Sequence, residues 1–368
     1  DFTHPKWFAD IEAKLIPAEP GLFRLREEFV QEDGEGAYQK APTVPNAKPV
    51  RFMLSTELSC IYKKNGKTRR IHLLVYVPTI AAAKKLISVL VDRGCNLRAD
   101  GRPILGIDAK EIVRIALEAD DRSVVIPAHA WTPWFSIFGS QSGFDSIEEC
   151  FEEYAPNIFA IETGISSDPP MNWRLSQLDN IMLISNSDAH SLPRLGREAN
   201  VFDVDMLSYD AIMDVLRKRD YNRFAYTIEF FPEEGRYHID GHRSCNFFCL
   251  PEETKQLGEL CPKCGKTLTR GVLGRVDALA DRAVGEASRQ KVDFKSIIPL
   301  DELIAEAIHK TKTAKAVGVA YMAMISALGS EIDILLEKDL SMIARASTPE
   351  IAEAIGSMRR AEFDIQPG

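Results

Sequence analysis

Residues 180–202 read NIMLISNSDAHSLPRLGREANVF. The apolar run has the length and composition of a buried strand, and it ends on Ser-Asp-Ala-His before a loop carrying Arg194 and Arg197. A strand that finishes by presenting Asp188 and His190 two residues apart is either a helix cap beside a surface histidine or one edge of a metal site. The other strands have to decide between them.

Two further strand-like runs end in the same way. RSVVIPAH delivers His129 and NIFAIETG delivers Glu162. Between the strands lie segments of helical periodicity: IAAAKKLISVLVDRG with its glycine stop, DAKEIVRIALEAD with Asp108 as its N-cap, and YDAIMDVLRKRD. Strand-helix alternation predicts an α/β fold with a mostly parallel sheet, open or closed into a barrel. In such folds the C-terminal edge of the strands is where sites are built. Each polar residue alone is ordinary; three strands converging on one edge favour a site.

Upstream, RFMLSTELSCIY and RIHLLVYVP flank KKNGKT. Asn-Gly between two β-rich runs is a strong hairpin signal. With Asn65-Gly66 as a two-residue turn, Lys64 pairs with Lys67 and Ser59 faces His72. Glu57 then lies two positions along on the same face, a diagonal neighbour of His72 at roughly 7–8 Å between Cα atoms. The chain opens DFTHPKWF, which adds Asp1 and His4 ahead of a proline-started helix. Alone, Asp1 reads as a helix cap. The donor set is thus Asp1, His4, Glu57, His72, His129, Glu162, Asp188 and His190. Mixed imidazole and carboxylate donors suit zinc, manganese or iron rather than magnesium alone. More than four donors implies two or three ions, and clustered ions favour phosphoester hydrolysis.

Composition is that of an ordinary globular protein: 368 residues, 45% hydrophobic and 27% charged. The net charge of −9 argues against a generally basic nucleic-acid coat. No run reaches the roughly 20 apolar residues of a membrane span. With no secretory signal visible, a cytoplasmic location without membrane partners is expected. Among seven cysteines, Cys60, Cys95 and Cys150 are scattered and read as small core residues. Cys245, Cys249, Cys261 and Cys264 cluster in CNFFCLPEETKQLGELCPKCGK, a spacing that predicts a structural four-cysteine zinc site rather than disulfides. From Lys255 to Arg275 there are five Lys or Arg against one Glu, a basic surface suited to phosphate; a solvated zinc ribbon is the plainer account. Beyond Val276, RVDALADRAVGEAS, LDELIAEAIHKT, KAVGVAYMAMISALG, EIDILLEKDLSMIAR and PEIAEAIGSMRRAEF predict a small helical domain. His309 within it reads as an inert surface histidine.

An acid-histidine pair after a late strand, with Glu57, His72 and His129 on earlier ones, resembles the polymerase-and-histidinol-phosphatase (PHP) superfamily. The stretches PAHAWTPWFSIFGSQSGFDSIEEC, ETGISSDPPMNWR, SDAHSLPRLGREANVF and TIEFFPEEGRYHIDGHRSCN are similar to its endonuclease Q family. This resemblance spans about Asp1 to Arg275. It implies a distorted (β/α)7 PHP-type barrel over 1–232; the cysteine spacing then puts the zinc module at 233–275 and the helical periodicity puts the helical domain at 276–368. It implies that Glu57, His72, His129, Asp188 and His190 are metal ligands, with Asp188 indispensable. Asp1 matches the acid of the second motif. His4 matches less closely, since Phe2 stands where the histidine after that aspartate is usual, and Glu162 sits in a recurring strand motif as a ligand or a neighbour of one. The barrel would hold two or three divalent ions (zinc, manganese or magnesium), and Glu57, His129, Asp188 and His190 would carry the chemistry.

The implied reaction is a nick 5′ of a deaminated base in DNA, leaving a 3′-hydroxyl and a 5′-phosphate. Damaged duplex or single-stranded DNA is then the partner. Trp131, Trp134, Phe135 and Trp173 stand near these ligands in sequence, as walls for an extruded base or as barrel core. Asn172 could bond a base edge, while Arg174, Arg194 and Arg197 could hold phosphates. The family opens with a His-x-His strand, and no such pair occurs in these 368 residues; the expectation is that it lies upstream of Asp1. The competing readings are a small-molecule phosphatase of the same superfamily and a DNA-binding protein with a vestigial centre. The zinc cluster, basic stretch and helical tail weigh against the first.

Overall fold

The computed structural model describes residues 1–29, 49–99, 101–287, 291–363 and 365. The chain divides into two compact units, one built mainly from Asp1–Arg26 and Arg51–Lys295, the other mainly from Ser296–Gln366.

A long hairpin organises the first unit. Strands Leu54–Lys64 and Lys67–Val77 pair without a slip from Leu54↔Val77 to Lys64↔Lys67, with Ser59↔His72 between. Asn65 and Gly66 take φ of 53° and 75° at the turn, the left-handed pair that a type I′ hairpin demands. Alternation then divides the hairpin into two faces. Leu58, Cys60, Ile71 and Leu73, all fully buried, point into the main core. Glu57, Ser59 and His72 share the other face, which is where the site lies.

The hairpin extends to a four-stranded sheet, Ile104–Leu105 pairing parallel on one edge and Val124–Pro127 antiparallel on the other. Ala160–Glu162 and Met182–Ile184 form a parallel pair, and Ala199–Phe202 pairs antiparallel with Phe224–Phe230. Backbone bonds from Ala128 to His72 (3.1 Å) and from Ala130 to Glu162 (2.9 Å) lead from the hairpin sheet to the parallel pair. The result is a mixed α/β unit whose ladders, among the described residues, run as separate sheets.

Helices cover the core face. Ile80–Asp92 is capped by the Thr79 hydroxyl and Ala109–Ala119 by the Asp108 carboxylate, each satisfying amides that the first turn leaves unpaired. They bury Leu86, Leu90, Ile112, Val113 and Ile115 against the hairpin. Each such side chain contributes about 1.5–3 kcal/mol by leaving water.

In the second unit five helices run over Leu300–Ala307, Lys315–Leu328, Glu331–Leu336, Leu340–Ala346 and Pro349–Arg360. The expected single helix over EIDILLEKDLSMIAR is therefore two. Asp339 interrupts it by accepting from the Ser341 amide at 2.7 Å and capping the second piece. Arg359 donates to the carbonyls of Ile334, Leu335 and Lys338 at 2.7–2.9 Å, closing the end of the first. Of RVDALADRAVGEAS, the described residues are helical only as far as Leu279, as the end of the helix Val272–Leu279. Among the described residues no helix is long and apolar enough to cross a membrane.

Candidate metal centre

Three donors meet on the polar face of the hairpin. His72 Nδ1 lies 2.9 Å from Glu57 Oε1 and 3.1 Å from His129 Nε2, and His129 Nε2 lies 3.5 Å from the same glutamate oxygen. Their ligand atoms all fall within 4.8 Å of one another. One carboxylate and two imidazoles, all largely buried and converging, fit a divalent transition metal. The Asn65-Gly66 turn predicts Ser59 opposite His72 with Glu57 as its diagonal neighbour, and the observed register is the same.

The remaining ring nitrogens are held from behind. Ser59 Oγ is 3.1 Å from His72 Nε2, and Thr132 Oγ1 is 3.1 Å from His129 Nδ1. Fixing the far nitrogen sets the tautomer and aims the near lone pair at the site. Glu162 is buried; it accepts from the His129 backbone amide at 2.6 Å and from Asn186 Nδ2 at 2.9 Å. It positions His129 without joining the three-donor group. Burial pushes its carboxyl up to about 7. For Glu57 burial also acts upward, but hydrogen bonds from His129 and His72 outweigh it and hold the carboxyl well below the usual range. Burial lowers His72. In His129 the bond to Glu57 and the acids Glu162, Glu57 and Asp188 overcome burial and raise it.

Left-handed backbone occurs at three places around the site. His129, Phe135 and Asp188 have φ of 29°, 63° and 42°, in a region non-glycine residues avoid unless the surroundings impose it. Gly164 must be glycine: a Cβ would stand 2.9 Å from the His129 Cα and Cβ.

The other expected ligands do not enter the three-donor group. Asp1 Oδ1 accepts from the Glu57 backbone amide at 2.9 Å. Asp188 is 34% exposed at its side chain and reaches His129 and Glu162 electrostatically. His190 is 74% exposed, its Nδ1 2.9 Å from the Asp188 carbonyl. His4 stacks on Trp7 at 5.0 Å, its buried Nδ1 having no hydrogen-bond partner among the described residues.

The expected substrate contacts need correction. Trp131 is 1% exposed and donates to Asn172 Oδ1 at 2.7 Å; Asn172 is itself fully buried, donating to Ser167 and Asp168. The pair are core residues that satisfy one another, because a buried indole N–H needs an acceptor. Arg174 is paired with Asp277 at 2.5 Å and only 13% exposed at its side chain, so it is structural. Trp173 stands edge-on to Phe294 under Lys291. Phe135 does face the site, its ring 4.8 Å from His72, and Trp134 is exposed beside Tyr237. Arg197 donates to the Ser187 carbonyl, and Arg194 lies in the short 3-10 turn Leu192–Arg194.

The second metal group is also revised. His242, Cys245, Cys261 and Cys264 bring their donors within 4.8 Å of one another. Cys249, the expected fourth thiol, is buried with its sulfur 3.2 Å from the Thr254 hydroxyl. The hairpin Asp240–His242 with Phe247–Cys249 explains this: it sends His242 to Cys264, at 3.4 Å, while Cys249 pairs with Asp240 at the other end. A backbone hydrogen bond from Lys266 lowers the Cys264 thiol, as expected of a knuckle whose amides point at a thiolate. Sequence reasoning missed His242, a lone histidine three residues before Cys245. It also missed Arg102, which binds both Glu57 oxygens at 3.1 and 3.3 Å, and Asn186.

The family model described as the MJ0043 C-terminal domain matches residues 299–362. Uncharacterized protein MJ0043 of Methanocaldococcus jannaschii is 31% identical over 264 residues, covering 70% of this chain and 33% of that protein, so the chain spans a third of this relative's length. Uncharacterized protein YqxK of Bacillus subtilis is 28% identical over 302 residues, covering 81% and 71%. Among solved structures, the lesion-specific endonuclease PfuEndoQ of Pyrococcus furiosus superposes with a TM-score of 0.81 at 27% identity, over 100% of this chain and 82% of that one. Endonuclease Q in complex with a 27-mer duplex bearing an abasic lesion at its active site gives 0.82 at 27%, covering 100% and 83%. The likeness to endonuclease Q carried by the motifs is therefore a likeness of the whole chain, which has endonuclease Q as its structural neighbour from end to end.

Proposed function

We propose that this chain is a metal-dependent DNA endonuclease that nicks the phosphodiester 5′ of a deaminated base or abasic site. The observation that carries the reading is the buried Glu57–His72–His129 group inside a chain that superposes along its whole length on endonuclease Q. The strand links from the hairpin through Val124–Pro127 to Ala160–Glu162 and Met182–Ile184 support a distorted PHP-type barrel. A zinc module held by three cysteines and one histidine, and a helical domain, would follow it.

Glu57, His72 and His129 would hold a divalent cation, with Asp188, His190 and Asp1 beside them as donors for further ions. A cation there supplies Lewis acidity for hydrolysis of a phosphodiester. The chain's own residues do the rest. Ser59 and Thr132 hold the two imidazoles in one tautomer. Glu162 ties the His129 backbone to Asn186 and, with its carboxyl near neutrality, holds or releases a proton beside the site. Phe135 covers the His72 ring and keeps water from it. Arg102 offsets the Glu57 charge and, a third exposed, offers donors to an arriving phosphate. Arg194 and Arg197 add cations on the loop after Asp188.

The test is a nicking assay with the native gene product on an end-labelled duplex carrying one hypoxanthine or uracil, with manganese, magnesium and zinc tried separately. A single cut 5′ of the lesion, absent on undamaged duplex and lost in Asp188→Asn, is expected. No cut, with hydrolysis of histidinol phosphate instead, would move the protein to the phosphatase branch.

A further inference from the structure

The loop from Ser187 to Arg197 leaves the site at Asp188 and returns where Arg197 Nε donates to the Ser187 carbonyl at 2.9 Å. The Arg197 guanidinium also lies 5.5 Å from the Phe230 ring, which pins the neck. Between the two ends the chain makes a 3-10 turn over Leu192–Arg194, closed by hydrogen bonds from the Arg194 amide to the Ser191 carbonyl (3.0 Å) and from the Leu195 amide to the Leu192 carbonyl (3.1 Å). Pro193 fixes its backbone, and Gly196, at φ 75° with open space around it, turns the chain back. Leu192 opens the turn and Leu195 caps it, three residues apart, and both side chains are left in water. They are 64% and 65% exposed.

A scattered exposed leucine needs no explanation. Two exposed leucines three residues apart on a braced turn, within seven residues of Asp188 at the rim of a charged site, are different. They leave apolar surface in water where the neighbours are Asp188, His190, Arg194 and Arg197. Resting on the nuclease reading above, we propose that Leu192 and Leu195 form a wedge that enters the base stack of duplex DNA at the lesion. The wedge occupies the gap left when the damaged nucleotide swings toward the metal centre. The interior of a base stack is the apolar surface that such a substrate offers, and enzymes that extrude a nucleotide can insert a leucine or similar side chain between base steps. Arg194 within the turn and Arg197 at its neck supply positive charge for the phosphates flanking that gap. Duplex substrates need the wedge, because their stack must be opened; a lesion in a single strand does not.

The experiment compares the native protein, Leu192→Ala/Leu195→Ala and Leu192→Met/Leu195→Met on the same uracil-containing strand, single-stranded and in duplex, with 2-aminopurine beside the uracil. The alanine variant is expected to lower the ratio of duplex to single-strand cutting by roughly tenfold or more, since unstacking costs a few kcal/mol per step. It should also lose the rise in 2-aminopurine emission on binding duplex, and the methionine variant should keep both. An alanine variant with the native ratio and the native emission rise overturns the wedge while the nuclease reading stands. A native protein that cuts neither form and raises no emission brings down the nuclease reading and the wedge with it.

Discussion

His72 shows how much of the centre rests on single contacts. Its Nδ1 faces Glu57 and its Nε2 faces Ser59. For Nδ1 to offer a lone pair, Nε2 must carry the proton and donate it to the serine. Ser59→Ala is therefore expected to weaken binding of manganese or zinc by about tenfold, read by calorimetric titration, with the thermal midpoint nearly unchanged. The places of Glu57 and Ser59 beside His72 are legible in the sequence, because a two-residue Asn-Gly turn fixes every rung of the hairpin beyond it. That of Trp131 is not. Whether a tryptophan near a site lines it or underlies it depends on which side the chain enters the core, and one hydrogen bond to Asn172 settles that in space.

Strand pairing and short hairpins carry the next level. The hairpin of the second metal group places His242 with three cysteines and leaves Cys249 on Thr254. Cys249→Ser is accordingly expected to retain zinc at the native stoichiometry, while Cys245→Ser, Cys261→Ser or His242→Ala loses it, as measured by metal analysis after dialysis. Cysteine spacing alone could not reveal this, since C-x3-C and a histidine two residues after an aspartate read equally well until the strands pair. Just before the strand Ala199–Phe202 and on the strand Phe224–Phe230, the buried acids Glu198 and Glu229 face a different problem. Burial raises both carboxyls, Glu229 to about 7. A carboxyl whose folded pKa lies above its unfolded value of 4.5 favours the fold below that value, and the benefit is lost as pH rises to about 7. Glu229→Gln should thus melt close to the native protein at pH near 5 and above it at pH near 8, by on the order of 2 kcal/mol.

The molecule as a whole divides where its family relationships do. The matched family model begins at residue 299, and the second compact unit takes up the chain at Ser296. A fragment covering 296–363 is expected to fold alone, giving a helical circular-dichroism spectrum and a cooperative melt; a featureless spectrum would refute it. The helical tail and the strand-helix alternation could both be read from periodicity. Which strands become neighbours could not, because parallel pairing such as Ala160–Glu162 with Met182–Ile184 joins residues far apart in the chain and leaves no local signature. The hairpin turn has a practical consequence for anyone wishing to mount a label on this protein. Between the Ser59↔His72 rung and the turn lie five more rungs, from Cys60↔Ile71 to Lys64↔Lys67, and the space around Gly66 is open. A tag spliced between Asn65 and Gly66 would lengthen the loop and leave the ligand pair in register. One residue added between Lys67 and His72 would carry the histidine to the opposite face of the sheet, so a reporter tolerated at the tip becomes an inactivating lesion a few residues along.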